Sequence, residues 1–511
     1  MKKSLITDTI ILTISGFLAK AVGFAIRVYI SNKIGSEGMG MFSMVSSIYM
    51  LFATIATSGI SISVSKLCAE EISKGNTYSA RKIVRLSCLV MGLVGLIAFV
   101  VLFLSSNFIG ITLLKDIRTI LSIKLISIGL PFISITSCIN GYFFASRNVV
   151  KPATSQILEQ IVKIISVYLL FLILLPKGLE YGLAAVVLSI TIADFFVCIY
   201  QFILYKLYKT KIINKSFSLK NTVKKLVSIS FPLAINSYLN SGLRLIENLI
   251  IPFSLRKFGQ TFSQSLSTYG MLKGMVMPIL IFPSAFLSSL ANILVPAIAS
   301  AKINNDLVKL NKTISKILQL TLLIGILLVG IFMSFSYDIS MILYHNIECG
   351  KMLFSLSFIC PFLYFDMIIV AILNGLSEQI TCLKVNLIEA LIRIAIIFFI
   401  IPIIGINGFL FAIGLSSIFS AILYLRKLIS ITNIKFDFIN YILKPILSAS
   451  VVLLSTRFLY KTLTITTIYP SIGLIIGIVI SCVIYLILII LLGCIDKKDF
   501  IFLLYTIKKK K

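Results

Sequence analysis

Gly16, Lys20, Gly23 and Arg27 follow one another at spacings of four, three and four residues inside the apolar stretch SGFLAKAVGFAIRVYI, Ser15 to Ile30. At 3.6 residues per turn this spacing puts all four on one stripe of a helix, with the two cations about 10 Å apart along its axis. A cation at the centre of a bilayer costs roughly 2.5 to 3.5 kcal/mol on insertion scales, so such residues need an anionic ligand, a watery cavity or a route to the surface. Arg27 can snorkel outward, and the two glycines could form a packing seam. Lys20 falls near the middle of the stretch and resists that reading. What the pair offers chemically is recognition of a polyanion, through bidentate hydrogen bonds from arginine and a point charge from lysine.

The same design recurs downstream, where Asn236, Asn240, Arg244 and Glu247 are spaced by four, four and three. Two polar stripes on two apolar helices predict one shared aqueous space, with Lys20, Arg27 and Arg244 as its cations, Lys273 as a further member, and Asn240 and Glu247 as polar lining. Lys66 and Lys124 lie nearer the ends of their runs and suit snorkelling. Glu159 with Lys163, and Glu389 with Arg393, stand at i, i+4, so each pair can neutralise itself as a structural ion pair near the cytoplasmic surface. Asp194 and Asp366 lie deeper and have no partner nearby in sequence. They suit either a cation or proton site or pairing with a lysine on another helix.

The elements that position these residues follow from composition. Of 511 residues 59% are hydrophobic and 13% charged, which places the chain among polytopic membrane proteins. A formal charge of +29 would suggest nucleic acid for a soluble domain. Here the basic residues gather in short connectors between apolar runs, so they report membrane topology and no nucleic-acid partner is expected. The nine cysteines form no CxxC pair, and the single histidine, His345, sits in a connector, so no metal, disulfide framework or cofactor is expected. With no Walker loop, no glycine fingerprint and no HExxH, the chain does not read as an enzyme. The N-terminus imitates a secretory signal with an A-x-A at Ala19 to Ala21, but the apolar run continues past it to Ile30.

Runs of about 20 apolar residues start near residues 7, 41, 83, 119, 153, 181, 226, 264, 313, 352, 384, 406, 438 and 469, which predicts fourteen helical spans. Connectors after even-numbered spans are the basic ones, so the chain is expected in the plasma membrane with both termini cytoplasmic. An internal repeat sets QILEQIVKI (156 to 164) against NLIEALIRI (386 to 394), an offset of 230. Asn140 and Gly141 are set against Asn374 and Gly375, Pro176 and Gly182 against Pro402 and Gly408, and Gly35 against Gly259. The expected organisation is a six-helix half over 1–206, a basic cytoplasmic linker over 207–225, a second six-helix half over 226–430, and two further helices with a basic tail over 431–511. Six is even, so the halves share one orientation and their axis runs along the membrane normal.

Six plus six plus two spans resemble the multidrug/oligosaccharidyl-lipid/polysaccharide exporter superfamily. The first 70 residues, with Lys20, Gly23, Phe24, Arg27, Gly35, Glu37, Gly38, Gly40, Gly59, Ser65 and Lys66, are similar to its polysaccharide-biosynthesis, lipid II flippase-like branch, in particular to the stage V sporulation protein B group. Flippases of that branch carry Ser-Arg-x-x-Gly-Phe-x-Arg-Asp in the first span. Lys20 takes the place of the first arginine, Gly23 and Phe24 match, and Arg27 stands one position late. The resemblance implies a flippase for an isoprenoid-linked, anionic diphosphate glycan of the cell wall or spore cortex, working by alternating access among membrane lipids and cell-wall synthesis enzymes. It leaves two alternatives, a cation-coupled drug exporter of the same superfamily and a non-transporting scaffold for envelope synthesis.

Overall fold

The structure, a computed structural model, describes residues 5–208, 219–288, 298, 307–432, 434, 437–466 and 470–494. Most of the basic linker, Pro296 and the lysine-rich tail lie outside the described residues. Every regular element among the described residues is helical, as apolar runs of this length must be where lipid cannot satisfy open backbone groups.

The chain divides into two compact units, Met1–Gly274 and Met275–Lys511. The first opens with α1 (Leu5–Thr57), which breaks at Gly35, where φ is 69° and ψ −176°. This is left-handed backbone that only glycine adopts without strain, and the break lets one continuous stretch supply the first two expected spans. It is followed by α2 (Ile60–Ser73), α3 (Thr77–Phe108), α4 (Ile120–Ser127), α5 (Leu130–Ala145), α6 (Val150–Leu174), α7 (Leu179–Leu207), α8 (Leu219–Lys257) and α9 (Phe262–Tyr269). The start of α3 is fixed by Asn76, whose side chain accepts from Ser79 N. The start of α9 is fixed by a reciprocal cap between Thr261 and Gln264. A core of Ile60, Val64, Leu67, Ile83, Cys138 and Tyr142 joins α2, α3 and α5.

The second unit holds α10 (Met277–Ile281), α11 (Leu307–Tyr344), α12 (Ile347–Ser357), α13 (Cys360–Gly375), α14 (Gln379–Ile404), α15 (Ile406–Thr432), α16 (Lys444–Thr466) and α17 (Pro470–Leu491). The two additional helices, α16 and α17, pack on α11 around Leu323, Ile326, Val452 and Tyr485.

Ten of the described helices are long and apolar enough to cross a membrane, or eleven if the bent pair α12 and α13 is one span. The stretch Ile11–Ser73, 63 residues long, would reach about 95 Å at 1.5 Å per residue. It therefore crosses more than once. Expected span 7 falls in α8, whose polar stripe lowers its apolar character, and part of expected span 8 lies outside the described residues.

Each unit carries the same backbone landmarks. The left-handed residues Lys115 (φ 56°) and Arg147 (φ 53°) return 230 positions later as His345 (φ 51°) and Ser377 (φ 67°). Gly95 on α3 packs against Pro131 of α5, and Gly325 on α11 against Pro361 of α13, again at 230. Gly182 sits against Leu175 and Gly408 against Ile401, at an offset of 226. These landmarks correct one sequence match: at 230, Asn140 falls opposite Val370, so pairing Asn140 and Gly141 with Asn374 and Gly375 was a slip of four residues, about one helical turn.

Candidate functional site

The first limb of α1 packs along α6. A Cβ on Gly23 would lie 3.5 Å from Gln160 Oε1, and the rings of Tyr29 and Phe171 are 5.9 Å apart. Gly16 has open space where its side chain would be, Lys20 is exposed and Arg27 half-buried. The stripe that carries the cations is thus divided: Gly23 is a contact with α6, while Gly16 has no neighbour within 4 Å of a Cβ and Lys20 is exposed.

The second limb of α1 receives α8. Asn248 Nδ2 donates to Ser47 Oγ at 2.9 Å, the hydroxyls of Thr54 and Ser241 meet at 2.9 Å, and Tyr238 Oη donates to Ile55 O at 3.3 Å. Arg244, on this docked helix, is exposed. Asn240 Nδ2 donates to Asn236 Oδ1 at 2.7 Å, so these two satisfy one another along the helix. Glu247 is buried and forms an ion pair with Lys273, Nζ to Oε1 2.9 Å. Lys273 sits in a wide π-helical turn, Gly270–Val276, a distortion that recurs at functional positions in other helices. The expected fourth cation and the expected acidic lining residue are therefore one pair, joined across 26 positions of sequence that no helical spacing could have linked.

Where the two limbs of α1 meet, the backbone of α1 touches α9 with no side chain between them. A Cβ on Gly40 would lie 2.1 Å from Leu266 O, and one on Gly270 would lie 1.9 Å from Ser36 O. Ser36 and Ser267 add a hydroxyl bond of 2.6 Å. Nearby, Arg118 clamps two carboxylates, Asp116 and Glu37, each at 2.8 Å.

The two short-range pairs form as their spacing requires, Lys163 Nζ to Glu159 Oε1 at 2.9 Å and Arg393 Nη1 to Glu389 Oε1 at 2.7 Å. The deep acids take hydroxyl donors: Tyr49 Oη donates to Asp194 Oδ2 at 3.1 Å and Ser420 Oγ to Asp366 Oδ2 at 2.6 Å. Asp366 Oδ1 is buried and accepts no hydrogen bond among the described residues. Tyr49 and Ser420 went unnoticed in the sequence, although the match of Gly182 to Gly408, carried twelve residues on, sets Ser420 opposite Asp194. Among the described residues no group of three or more His, Cys, Asp or Glu side chains is placed to hold a metal ion.

The profile of the polysaccharide biosynthesis protein family matches residues 5–302, more than half of the chain and the whole of α1 to α10. The chain belongs to that family. This polysaccharide biosynthesis protein is 29% identical over 452 residues to stage V sporulation protein B of Bacillus subtilis (strain 168), covering 86% of this chain and 87% of that one. It is 31% identical over 173 residues to the lipid II flippase MurJ of the same organism, covering 32% of each. In fold it is similar to a solved structure of the lipid II flippase MurJ in an inward closed conformation, with a TM-score of 0.66 and 17% identity, over 94% of this chain and 98% of that one. Family membership and ten or eleven spanning-length apolar helices among the described residues make it a multi-pass membrane protein, and its fold is that of the solved flippase.

Proposed function

We propose that this polysaccharide biosynthesis protein is a flippase that moves an isoprenoid-linked, anionic precursor of a cell-wall or polysaccharide glycan from the inner to the outer leaflet by alternating access, in spore cortex synthesis or a related wall pathway. The observation that carries the reading is the retention of Lys20 and Arg27 at helical spacing in an otherwise apolar first limb of α1, inside the segment that the family profile covers. A diphosphate crossing a bilayer must exchange its water for fixed cations. Lys20, Arg27 and Arg244 supply that exchange, while Lys273 first answers Glu247. The basic connectors support both termini in the cytoplasm. In that orientation, outward movement of two negative charges from a cytoplasm 100 mV negative releases on the order of 4.6 kcal/mol.

The test is complementation scored beside membrane protein level. Lys20→Arg keeps transport, whereas Lys20→Ala and Lys20→Glu abolish it at unchanged membrane level, and cells depleted of the protein accumulate one lipid-linked species on the cytoplasmic side. Normal level with normal transport in the Lys20, Arg27 and Arg244 alanine variants would sink the proposal. It would favour the cation-coupled exporter instead, for which the unanswered Oδ1 of Asp366 is the supporting observation.

A further inference from the structure

The first unit contains a polar space that the flippase reading does not use. It has a volume of about 710 Å³ and opens at the Gly35 break, where Ser36 and Glu37 of α1 face Gln260, Ser263, Gln264 and Ser267 around the start of α9. One of its lining residues, Ser36, also supplies the carbonyl that Gly270 meets. The connectors that meet here follow odd-numbered spans, the ones poor in lysine and arginine, which is the external side by the positive-inside rule.

The lining chemistry differs from that of the cationic stripe. Neither lysine nor arginine is among the lining residues, so nothing there calls for a phosphate. Two primary amides and three serine hydroxyls present donors and acceptors together, which suits a neutral ligand that is itself both donor and acceptor at each position. Gln264 Oε1 accepts from Thr261 N, which leaves its amide nitrogen as the group with donors to spare, and Gln260 Oε1 is buried without a hydrogen-bond partner among the described residues. Glu37 Oε1 is held by Arg118 Nη2 at 2.8 Å. That clamp leaves the second carboxylate oxygen for a hydroxyl. A carboxylate beside amides and hydroxyls, in a space the size of small-molecule clefts, fits a polyhydroxylated ring or pair of rings.

We infer that this external pocket holds the uncharged sugar portion of the translocated glycan as it leaves the cationic stripe, so that charge is recognised at one site and sugar at another. The inference rests on the flippase reading for the identity of its substrate, but sugar binding itself can be measured alone. The pocket has no aromatic platform among its lining residues, and binding through hydrogen bonds to exposed groups is weak. Weak binding suits a station that must release its occupant.

The experiment uses full-length protein purified in detergent, with N,N′-diacetylchitobiose as the probe and inorganic pyrophosphate as the contrast, read by saturation-transfer NMR. Chitobiose gives a signal on the wild type and on Lys20→Ala, and the signal falls at least fivefold in Gln260→Ala/Ser263→Ala, whose side chains take no part in the cap, the ion pairs or the serine bond. Pyrophosphate does not displace the sugar. A Ser263→Cys variant is labelled by a membrane-impermeant maleimide in intact cells, where the wild type is not, and chitobiose slows the labelling. Absence of a chitobiose signal on the wild type, an equal signal on the double variant, or labelling only after permeabilisation overturns the inference. None of these outcomes touches the Lys20 complementation, and failure of that complementation leaves the sugar signal standing.

Discussion

Asp194 and Asp366 look alike in sequence and are built differently. Asp194 lies on α7, takes its hydrogen bond from Tyr49 of α1, and has room because Gly129 faces it: a Cβ there would sit 2.9 Å from Asp194 Oδ2. Asp366 lies on α13, takes its bond from Ser420 of α15, and keeps Oδ1 buried and unanswered among the described residues. The repeat offsets of 230 and 226 set Asp366 opposite Thr136 and Asp194 opposite Ser420. The same pair of helices packs in each unit, with the acid on one helix in the first and on the other in the second. The ion pairs behave in the opposite way, since Glu159 with Lys163 and Glu389 with Arg393 occupy equivalent positions with nearly equal geometry. The repeat therefore preserves what neutralises itself and leaves free to vary what needs a partner from elsewhere. Each deep acid has its own donor, Tyr49 for Asp194 and Ser420 for Asp366.

The largest effect expected from breaking this contrast falls on the repeated pairs. Removing one member breaks the pair, a change that costs about 3 to 5 kcal/mol at a buried site. The Glu389 and Arg393 side chains are 14% and 19% exposed against 34% and 20% for Glu159 and Lys163. Glu389→Ala therefore lowers the thermal-unfolding midpoint in detergent more than Glu159→Ala does, and Glu389→Ala with Arg393→Ala recovers much of the loss. Equal effects of the two single substitutions, or no recovery, would show that the pairs do not act within their own helices.

A smaller effect separates the two acids. Ser420→Ala strips Asp366 of its donor and leaves both oxygens without a hydrogen bond from the described residues, at about 1 to 3 kcal/mol. Tyr49→Phe removes a longer bond from Asp194 and costs about 1 kcal/mol. The order of the two unfolding midpoints checks this, and a reversed order denies the difference between the sites. The smallest effect is expected from rebuilding one site in the pattern of the other. Thr136→Asp with Asp194→Ser gives the first unit the arrangement of the second, and membrane level stays within twofold of the wild type, because the same helix faces and the same charge count are kept. A collapse in level would mean that Tyr49 and Gly129 fix the acid to α7.

What the sequence disclosed follows the range over which each interaction acts. Apolar runs, basic connectors and the i, i+4 pairs are local, and each could be read directly. Lys273 with Glu247 and Tyr49 with Asp194 join different helices, so only the fold shows them. The slip at Asn140 has a like cause. The repeat is marked by backbone conformation at Lys115 and His345, and at Arg147 and Ser377, and residue types so dissimilar give an alignment nothing to hold. A chance Asn-Gly dipeptide one turn away was the stronger signal and the wrong one.

The contact of α1 with α9 bears on how such a chain could arise. Gly40 meets the carbonyl of Leu266 while Gly270 meets that of Ser36, and both Gly40 to Gly270 and Ser36 to Leu266 are steps of 230. Residue i touches j′ and j touches i′, which is the signature of a self-complementary interface between two identical subunits. An ancestral gene for one half would have needed only a single glycine, used twice about a dyad, to bring two copies together. In the present chain that one position is two, and neither Gly40 nor Gly270 can gain a side chain without moving the backbone carbonyl opposite it.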